Sequence, residues 1–186
     1  NGAHTLTAKA FDAAGNNTTS AAVGVTVSNT SSELVVNGGF EGSSSPWVLS
    51  GTASSVLWSS SGGSPHGGSG VLHEGIIDNA SGQTYQQISI PSGAAANLSF
   101  WLNVTSNETT TTTQYDKLFV EVRDSAGTLL TTLATYSNLN KGTLGVYSQK
   151  SFSLAAYRGQ TIRLQFRYTT DVSLQTIFRI DDVSLQ

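Results

Sequence analysis

The chain has 186 residues, 11% of them charged, with a formal net charge of −3 and neither Cys nor Met. The lack of Cys excludes a disulfide scaffold, thiol chemistry and Cys-based zinc sites. With nine basic residues in an acidic chain and no apolar run near the length of about 20 residues that spans a bilayer, we expect neither nucleic-acid binding nor membrane insertion. Low charge without Cys favours a secreted bacterial protein, and the missing Met suggests a piece of a longer chain.

The first predicted element is a β-hairpin over residues 1–29. Residues 4–10 and 21–27 alternate with period two, and an Asp, Gly and Asn turn cluster lies between them. The pattern "G-x-H-T-L-T-A-x-A-x-D-x-A-G-N", followed by "S-x-x-V-x-V-T-V", resembles the last two strands of a bacterial immunoglobulin-like repeat. Because two strands cannot bury a core, this hairpin is expected to pack on the next domain, to pair with another chain or to be poorly ordered.

Residues 33–186 predict a second domain made of strands. A Gly/Ser-rich stretch over 42–70 carries two short strand-like pieces with Trp47 and Trp58, and residues 154–159 predict a single turn between strands. The fold class is therefore all-β, an antiparallel two-sheet jelly-roll sandwich preceded by the hairpin. The longer strands are predicted over 70–75, 83–90, 96–105, 115–123, 127–134, 145–154, 160–170 and 175–185.

Alternation also predicts a surface for ligand binding. Trp101 is the leading candidate for a platform that stacks on a sugar, because its neighbours Phe100 and Leu102 take the core face. The alternative is that its ring is roofed by the loop over 109–113 or by the hairpin. The other side chains expected to share its face and to bind a glycan are Asn103, Tyr85, Gln87, Arg163 and Gln165, with Glu121 and Arg167 beside them.

The sequence contains no recognisable catalytic constellation. It has three His and no G-x-S-x-G motif, and His73-Glu74 does not begin an H-E-x-x-H motif because Ile77 stands where the second His belongs. The chain contains Asp and Glu residues, the residue types that glycoside hydrolases use in pairs. Most acidic residues of a folded protein, however, lie in turns or on the surface without a catalytic role. We therefore expect this chain to be noncatalytic.

The acidic residues at the two ends of the second domain predict a cation site. Glu41 follows its first residues, and Asp181 and Asp182 lie in its last strand. First and last strands are often neighbours in a sandwich, and carboxylates that meet repel one another unless a cation such as Ca²⁺ lies between them. The alternative is that Asp181 and Asp182 accept hydrogen bonds from backbone N–H groups or pair with Arg179.

Residues 33–186 resemble the galactose-binding-like jelly rolls that occur as carbohydrate-binding modules on bacterial xylanases. The matching motifs are "N-G-G-F-E" at 37–41, Trp47, "P-H-x-G-S/G" at 65–70, "F-x-L…Y-x-G-Q-T-I-R-L-Q-F" at 152–166 and "I-D-D-V-S-L" at 180–185. The resemblance implies a structural Ca²⁺ held by the Gly39 carbonyl, Glu41, Asp181 and a group of the middle loop. His66 stands where that loop can carry an acid, so the carbonyl of Gly68 or Ser69 is expected instead.

A longer motif resembles the C-terminal accessory domain of secreted bacterial peptidases of the subtilisin-like and sedolisin-like kinds. It includes "S-G-G-S-P-H-x-G-S-G" and "L-S-F-W-L-N-V-T-S-x-E-T-T-T-T-T-x-Y-D-x-L-x-V-x-V-R-D-S-A-G". This resemblance implies a hydrolase as the parent protein and its catalytic domain as a partner. The leading hypothesis is a calcium-stabilised accessory domain that binds a polysaccharide or cell-surface glycan. The alternative is a protein-interaction or stability domain with no ligand other than calcium.

Overall fold

The computed structural model describes residues 2–27, 32–52, 54–58 and 61–186, without the side chains of residues 56–58. Contacts within the chain divide it into two compact units, Asn1–Ser32 and Glu33–Gln186. In these described ranges, no helix is long and apolar enough to cross a membrane.

The first unit is a long antiparallel hairpin with a break halfway along it. Asp12 closes its turn, because its Oδ1 accepts hydrogen bonds from the backbone N–H groups of Ala14 and Asn16, both at 2.9 Å. All of its strand residues are exposed, so the hairpin buries no core of its own. Its strands pair as β1 (Gly2–Leu6) with β4 (Val23–Val27) and β2 (Lys9–Phe11) with β3 (Asn17–Thr19).

The second unit is a sandwich of two five-stranded antiparallel sheets, which confirms the all-β jelly-roll prediction. Its strands are β5 (Val48–Gly51), β6 (Ser55–Trp58), β7 (Gly70–Glu74), β8 (Ser81–Ser89), β9 (Asn97–Ser106), β10 (Lys117–Asp124), β11 (Leu129–Ser137), β12 (Ser148–Ser153), β13 (Thr161–Thr169) and β14 (Thr176–Leu185). Short 3₁₀ turns occupy Asn138–Asn140 and Ala155–Tyr157. The first sheet has the order β11-β10-β13-β8-β5, and the second has the order β12-β9-β14-β7-β6.

The core lies between the two sheets and follows from the period-two pattern of the strands. Phe100 of β9 meets Phe166 of β13 edge-on, with ring centroids 5.3 Å apart and an interplanar angle of 79°. Trp47 packs against Phe166 at 6.1 Å and against Phe40 at 5.3 Å, so the segment before β5 closes one end of the core. Trp47 is therefore part of the core, whereas the side chain of Trp58 lies outside the described residues.

A bulge in the last strand brings the two ends of the sandwich domain together. Asp181 of β14 pairs with Trp101 and Ser184 pairs with Ser99, so two residues of β14 stand opposite one residue of β9. The bulged residue Asp182 has a φ of +48°. The Val183 N–H donates to the Gly38 carbonyl at 3.0 Å, and a Cβ on Gly38 would lie 1.8 Å from the Val183 oxygen. Glycine is therefore required where the first motif crosses the last strand.

Candidate functional site

The carboxylate of Glu41 is held by the loop that precedes β7. Its Oε1 accepts hydrogen bonds from the backbone N–H groups of Ser69 at 2.8 Å and Gly70 at 3.1 Å, and its Oε2 accepts one from the Ser69 hydroxyl at 2.6 Å. The Ser69 hydroxyl and these N–H groups lower the pKa of Glu41, because they stabilise its charged form. The first motif and the loop over 66–70 are thereby joined through an ionised side chain.

Asp181 binds the same loop from the opposite side. Its Oδ2 accepts from the N–H groups of His66 at 2.7 Å and Gly67 at 3.2 Å, and its Oδ1 accepts from the N–H of Asp182 at 2.8 Å. The residue is fully buried. Burial raises the pKa of Asp181 to about 6 despite these hydrogen bonds, because desolvation penalises the charged form. Asp181 thus accepts backbone hydrogen bonds through both of its carboxylate oxygens.

Two glycines allow the carboxylates to approach the loop. Gly68 has a φ of +56°, and a Cβ there would lie 1.9 Å from Glu41 Oε1. A Cβ on Gly67 would lie 2.8 Å from Asp182 Oδ2. The carboxylates of Glu41 and Asp182 thus occupy space that a side chain on either glycine would need.

An aromatic stack covers the predicted sugar platform. The His66 ring lies 4.0 Å from the Trp101 ring at an interplanar angle of 15°, and its Nδ1 is 2.7 Å from Asp182 Oδ2. Tyr147 meets His66 edge-on at 5.4 Å and donates its hydroxyl hydrogen bond to the Ser64 carbonyl at 2.8 Å. One face of the Trp101 ring is therefore occupied by His66. Within the sandwich unit, the loop that carries His66 therefore roofs this side of the ring.

The structure brings the residues of the predicted metal site together around one loop. Glu41 and Asp181 are hydrogen-bonded to residues 66–70, and Gly39 lies beside Asp182 and Glu41. Carboxylate and carbonyl oxygens are the donors that Ca²⁺ prefers, so the donor set fits this ion by type. In the part of the chain that the structure describes, no three His, Cys, Asp or Glu side chains form a metal-holding group. A cation here would consequently need the carbonyl oxygens of Gly39 and Gly68 or Ser69.

The predicted glycan-binding residues do not share one face, and this part of the sequence prediction is wrong. Trp101 and Asn103 lie on β9 of the second sheet. Asn103 is buried, because its Nδ2 donates to the carbonyls of Thr143 and Val146 at 2.8 and 2.9 Å. The remaining candidates, Tyr85 and Gln87 on β8 and Arg163 and Gln165 on β13, lie on the outside of the first sheet.

We call the outward side chains of β8, β10 and β13 the polar face. Its centre is Glu121, whose fully buried carboxylate meets Arg123 Nη2 at 2.7 Å and Arg167 Nη2 at 2.8 Å. Gln165 Nε2 lies 3.3 Å from Glu121 Oε2 and 3.0 Å from Gln83 Oε1. Guanidinium, carboxylate and amide groups are therefore fixed in one connected network.

Aromatic rings lie beneath two arginines of the polar face. The Arg163 guanidinium lies 4.8 Å from the Tyr85 ring centroid, and the Arg167 guanidinium lies 4.0 Å from that of Phe119. An open depression of about 400 Å³ continues the face beside β5, with Gln83 and Arg167 in its lining. The face thus offers planar polar and aromatic groups next to a concave surface.

The sequence did not single out a carboxyl group inside the core. Glu74 is fully buried on β7 opposite Phe178, and the Ser54 hydroxyl donates to its Oε2 at 2.5 Å. Its Oε1 has no hydrogen-bond partner among the described residues. Burial raises the pKa of Glu74 to about 8, so the carboxyl is largely protonated at neutral pH. Its signal in the sequence is the even spacing from Leu72, which places both side chains on the inner side of β7.

No protein-family model and no curated protein matches this chain. Among solved structures, TmCBM61 in complex with β-1,4-galactotriose is 20% identical with a TM-score of 0.63, over 84% of this chain and 99% of that one. The K3 cleaved adhesin domain of Lys-gingipain from Porphyromonas gingivalis W83 is 16% identical with a TM-score of 0.55, over 83% and 97%. Family 16 Carbohydrate Binding Module-2 is 16% identical with a TM-score of 0.50, over 82% and 99%. These likenesses show a shared β-sandwich fold.

Proposed function

We propose that this chain is a noncatalytic glycan-binding accessory domain and that the polar face is its binding surface. The observation that carries the proposal is the alignment of planar groups on neighbouring strands. Gln87 pairs with Arg163, Tyr85 with Gln165 and Gln83 with Arg167 in register. Amides and guanidinium groups bond hydroxyls, while aromatic rings pack on the apolar faces of sugars. The fold shared with TmCBM61, which was solved with a galactotriose, supports the same proposal.

Glycan binding is tested by affinity electrophoresis of the whole chain through gels that contain single polysaccharides, followed by calorimetry. We expect retardation by at least one polysaccharide and loss of binding in Tyr85→Ala and Gln87→Ala. Gln149→Ala is the matched control, because Gln149 is exposed on β12 of the second sheet opposite Trp101. Absence of binding to every polysaccharide would favour the alternative, a protein-interaction or stability domain.

We also propose that a structural Ca²⁺ stabilises the sandwich at the loop over 66–69. The Gly39 carbonyl, the carboxylates of Glu41 and Asp181 and the carbonyl of Gly68 or Ser69 would hold it. When bound, the ion would supply positive charge between the carboxylates and tie the first and last segments of the domain together. The bulge at Asp182 and the glycines of the loop support this assignment, because they let oxygen-bearing groups converge.

Calcium is tested by thermal unfolding with and without a chelator. Binding to the folded state alone raises stability by about 2.7 kcal/mol when free Ca²⁺ is 100 times its Kd. We expect chelation to lower the melting temperature of the native chain, and Glu41→Ala and Asp181→Asn to abolish this response. Asp124→Asn is a matched control from the β10–β11 turn. An unchanged melting temperature after chelation would contradict the site.

The parent protein is proposed to be a secreted bacterial hydrolase, a peptidase by the long motif over residues 61–70 and 98–140. In that setting the domain would hold the catalytic domain near a polysaccharide or cell-surface glycan. The support is the sequence resemblance together with low charge and the lack of Cys. Cloning the native gene with its flanking sequence and assaying the secreted product for proteolysis tests this assignment.

A further inference from the structure

The basic residues of this acidic protein are concentrated on the polar face. Four of the nine basic residues lie there, namely Lys117, Arg123, Arg163 and Arg167, whereas the strands of the face carry one outward carboxylate, Glu121. Asp124, at the end of β10, is turned into the β10–β11 turn, where its Oδ1 accepts from the Thr128 N–H at 2.8 Å. The face therefore has an excess of positive charge on a chain whose formal net charge is −3.

Two of these cations stand directly opposite each other. Arg123 of β10 and Arg163 of β13 are register partners. Like charges opposite one another destabilise an antiparallel pair, so this arrangement costs stability in the unliganded domain. Both guanidinium groups are fixed by the β10–β11 turn, since Arg123 Nη1 donates to the Gly127 carbonyl at 2.8 Å and Arg163 Nη2 to the Ser125 carbonyl at 2.6 Å.

Arg163 is the guanidinium of the polar face that lacks a carboxylate partner among the described residues. Glu121 binds Arg123 and Arg167 through its two oxygens. The Nε of Arg163 is buried and has no hydrogen-bond partner in the described part of the chain. Because this Nε is enclosed, a ligand carboxylate would pair with the Nη atoms of the Arg163 guanidinium, which is held in place, stacked on Tyr85 and without a carboxylate partner among the described residues.

The positive charge also extends along the strand direction. Lys117 and Arg123 are six residues apart on β10, which corresponds to about 20 Å at the rise of an antiparallel strand. Lys117 has no carboxylate within salt-bridge distance among the residues described. A polymer that carries a negative charge on successive sugars can meet this row of cations at more than one point.

We infer that the glycan bound by the polar face is acidic and carries uronate carboxylates, one of which pairs with Arg163. This inference rests on the proposed function, since it names the substrate class of the same surface. The fixed guanidinium groups supply paired N–H donors, which match a planar carboxylate better than they match a neutral hydroxyl.

The probes are short oligogalacturonides, the same oligogalacturonides with methyl-esterified carboxyl groups, and β-1,4-galactotriose. Esterification keeps the sugar and removes the charge, so the difference in affinity between the first two probes measures the contribution of the carboxylate charge. Calorimetry on the whole chain is expected to give at least about tenfold tighter binding of the free acid than of its ester, the size of one charge-assisted hydrogen bond. Binding of the acid is also expected to weaken as salt is raised.

Arg163→Gln is expected to remove most of the preference for the acid, measured as the ratio of the acid and ester affinities. Arg158→Gln is the matched control, because Arg158 is exposed and donates to the Ala95 carbonyl away from the face. Lys117→Gln gives a second test that does not disturb the β10–β11 turn, with a smaller loss expected. Equal affinity for acid and ester, or an unchanged preference in Arg163→Gln, would overturn the inference.

The outcomes separate the inference from the proposed function. Tight binding of galactotriose or of the ester that is lost in Tyr85→Ala, without preference for the acid, refutes the uronate assignment and keeps the glycan-binding surface. Failure of the acidic and neutral probes, together with failure of every polysaccharide in the gels, refutes both.

Discussion

The buried carboxyl of Glu74 makes the stability of the sandwich depend on pH in a range where few other groups titrate. Its pKa is raised from its ordinary value of 4.5 to about 8 by burial. The folded state therefore keeps a proton that the unfolded chain has released. This stabilisation is fully present below pH 4.5 and is lost as the pH rises through 8. The perturbation that isolates it is Glu74→Gln, which keeps the shape and removes the titration.

The magnitude follows from the distance between the pH and the folded-state pKa. At pH 7, one unit below that pKa, the retained proton contributes about 1.4 kcal/mol, and by pH 9 almost none of this remains. Two other groups with shifted pKa values titrate below the range from pH 7 to pH 9. The pKa of Asp181 is about 6, and that of His73 is lowered by burial to about 4 from its ordinary 6.5. The difference between the native chain and Glu74→Gln from pH 7 to pH 9 therefore reports the titration of Glu74, because all other titrating groups are the same in both proteins.

The assay is urea unfolding of the native chain and of Glu74→Gln at pH 7, 8 and 9. We expect the native chain to lose about 1.4 kcal/mol relative to the variant over this range. Glu33→Gln is the matched control, because hydrogen bonds from the last strand lower the pKa of Glu33 and keep it outside the window. Parallel pH profiles of the native chain and Glu74→Gln would refute the reasoning, since they would mean that Glu74 is ionised already at pH 7.

Three further predictions concern packing and close approach. Gly38→Ala is expected to destabilise the sandwich by about 3 kcal/mol or more in urea unfolding, because its Cβ would lie 1.8 Å from a backbone oxygen of the last strand. Gly39→Ala is its control, with the nearest atom at 3.5 Å, and equal losses would contradict the explanation. Phe166→Ala should cost about 3–5 kcal/mol in the same assay, as expected for a fully buried ring, and a loss below 1 kcal/mol would contradict its central place. Gly68→Ala should displace the Glu41 carboxylate and lower the affinity for Ca²⁺, measured by calorimetry. An unchanged affinity would mean that Glu41 is not a ligand of the proposed site.

Strand positions and core residues were predictable because alternation is a local property of the sequence. In β13, Ile162, Leu164 and Phe166 are buried, as alternation along a strand requires, and the residues between them face outward. The same alternation does not say which sheet a strand joins. Trp101 and Tyr85 both point outward, but β9 pairs with β12 and β14, whereas β8 pairs with β5 and β13. Strand order is set by long-range packing. The glycan-binding residues that were predicted to share one face therefore lie on the outer faces of two different sheets.

The meeting of the first and last motifs was predictable because both belong to strands or turns at the ends of the domain. What local reasoning did not supply was the detailed bonding. The carboxylate oxygens of Asp181 and Glu41 accept hydrogen bonds from backbone N–H groups of residues 66–70. Arg179 donates to the Thr105 hydroxyl at 2.7 Å and does not pair with either aspartate. These partners depend on how a Gly-rich loop folds over the sheet, and composition does not determine that path.

The central claim, that the polar face binds glycan, is tested most directly by mapping amide chemical shifts of the whole chain during separate titrations with oligogalacturonide and with β-1,4-galactotriose. The prediction is that shifts change on β8, β10 and β13, around Gln83, Tyr85, Arg163 and Arg167, and stay constant around Trp101. Changes confined to the loop over His66 and the second sheet would contradict this account, and so would a spectrum that does not respond.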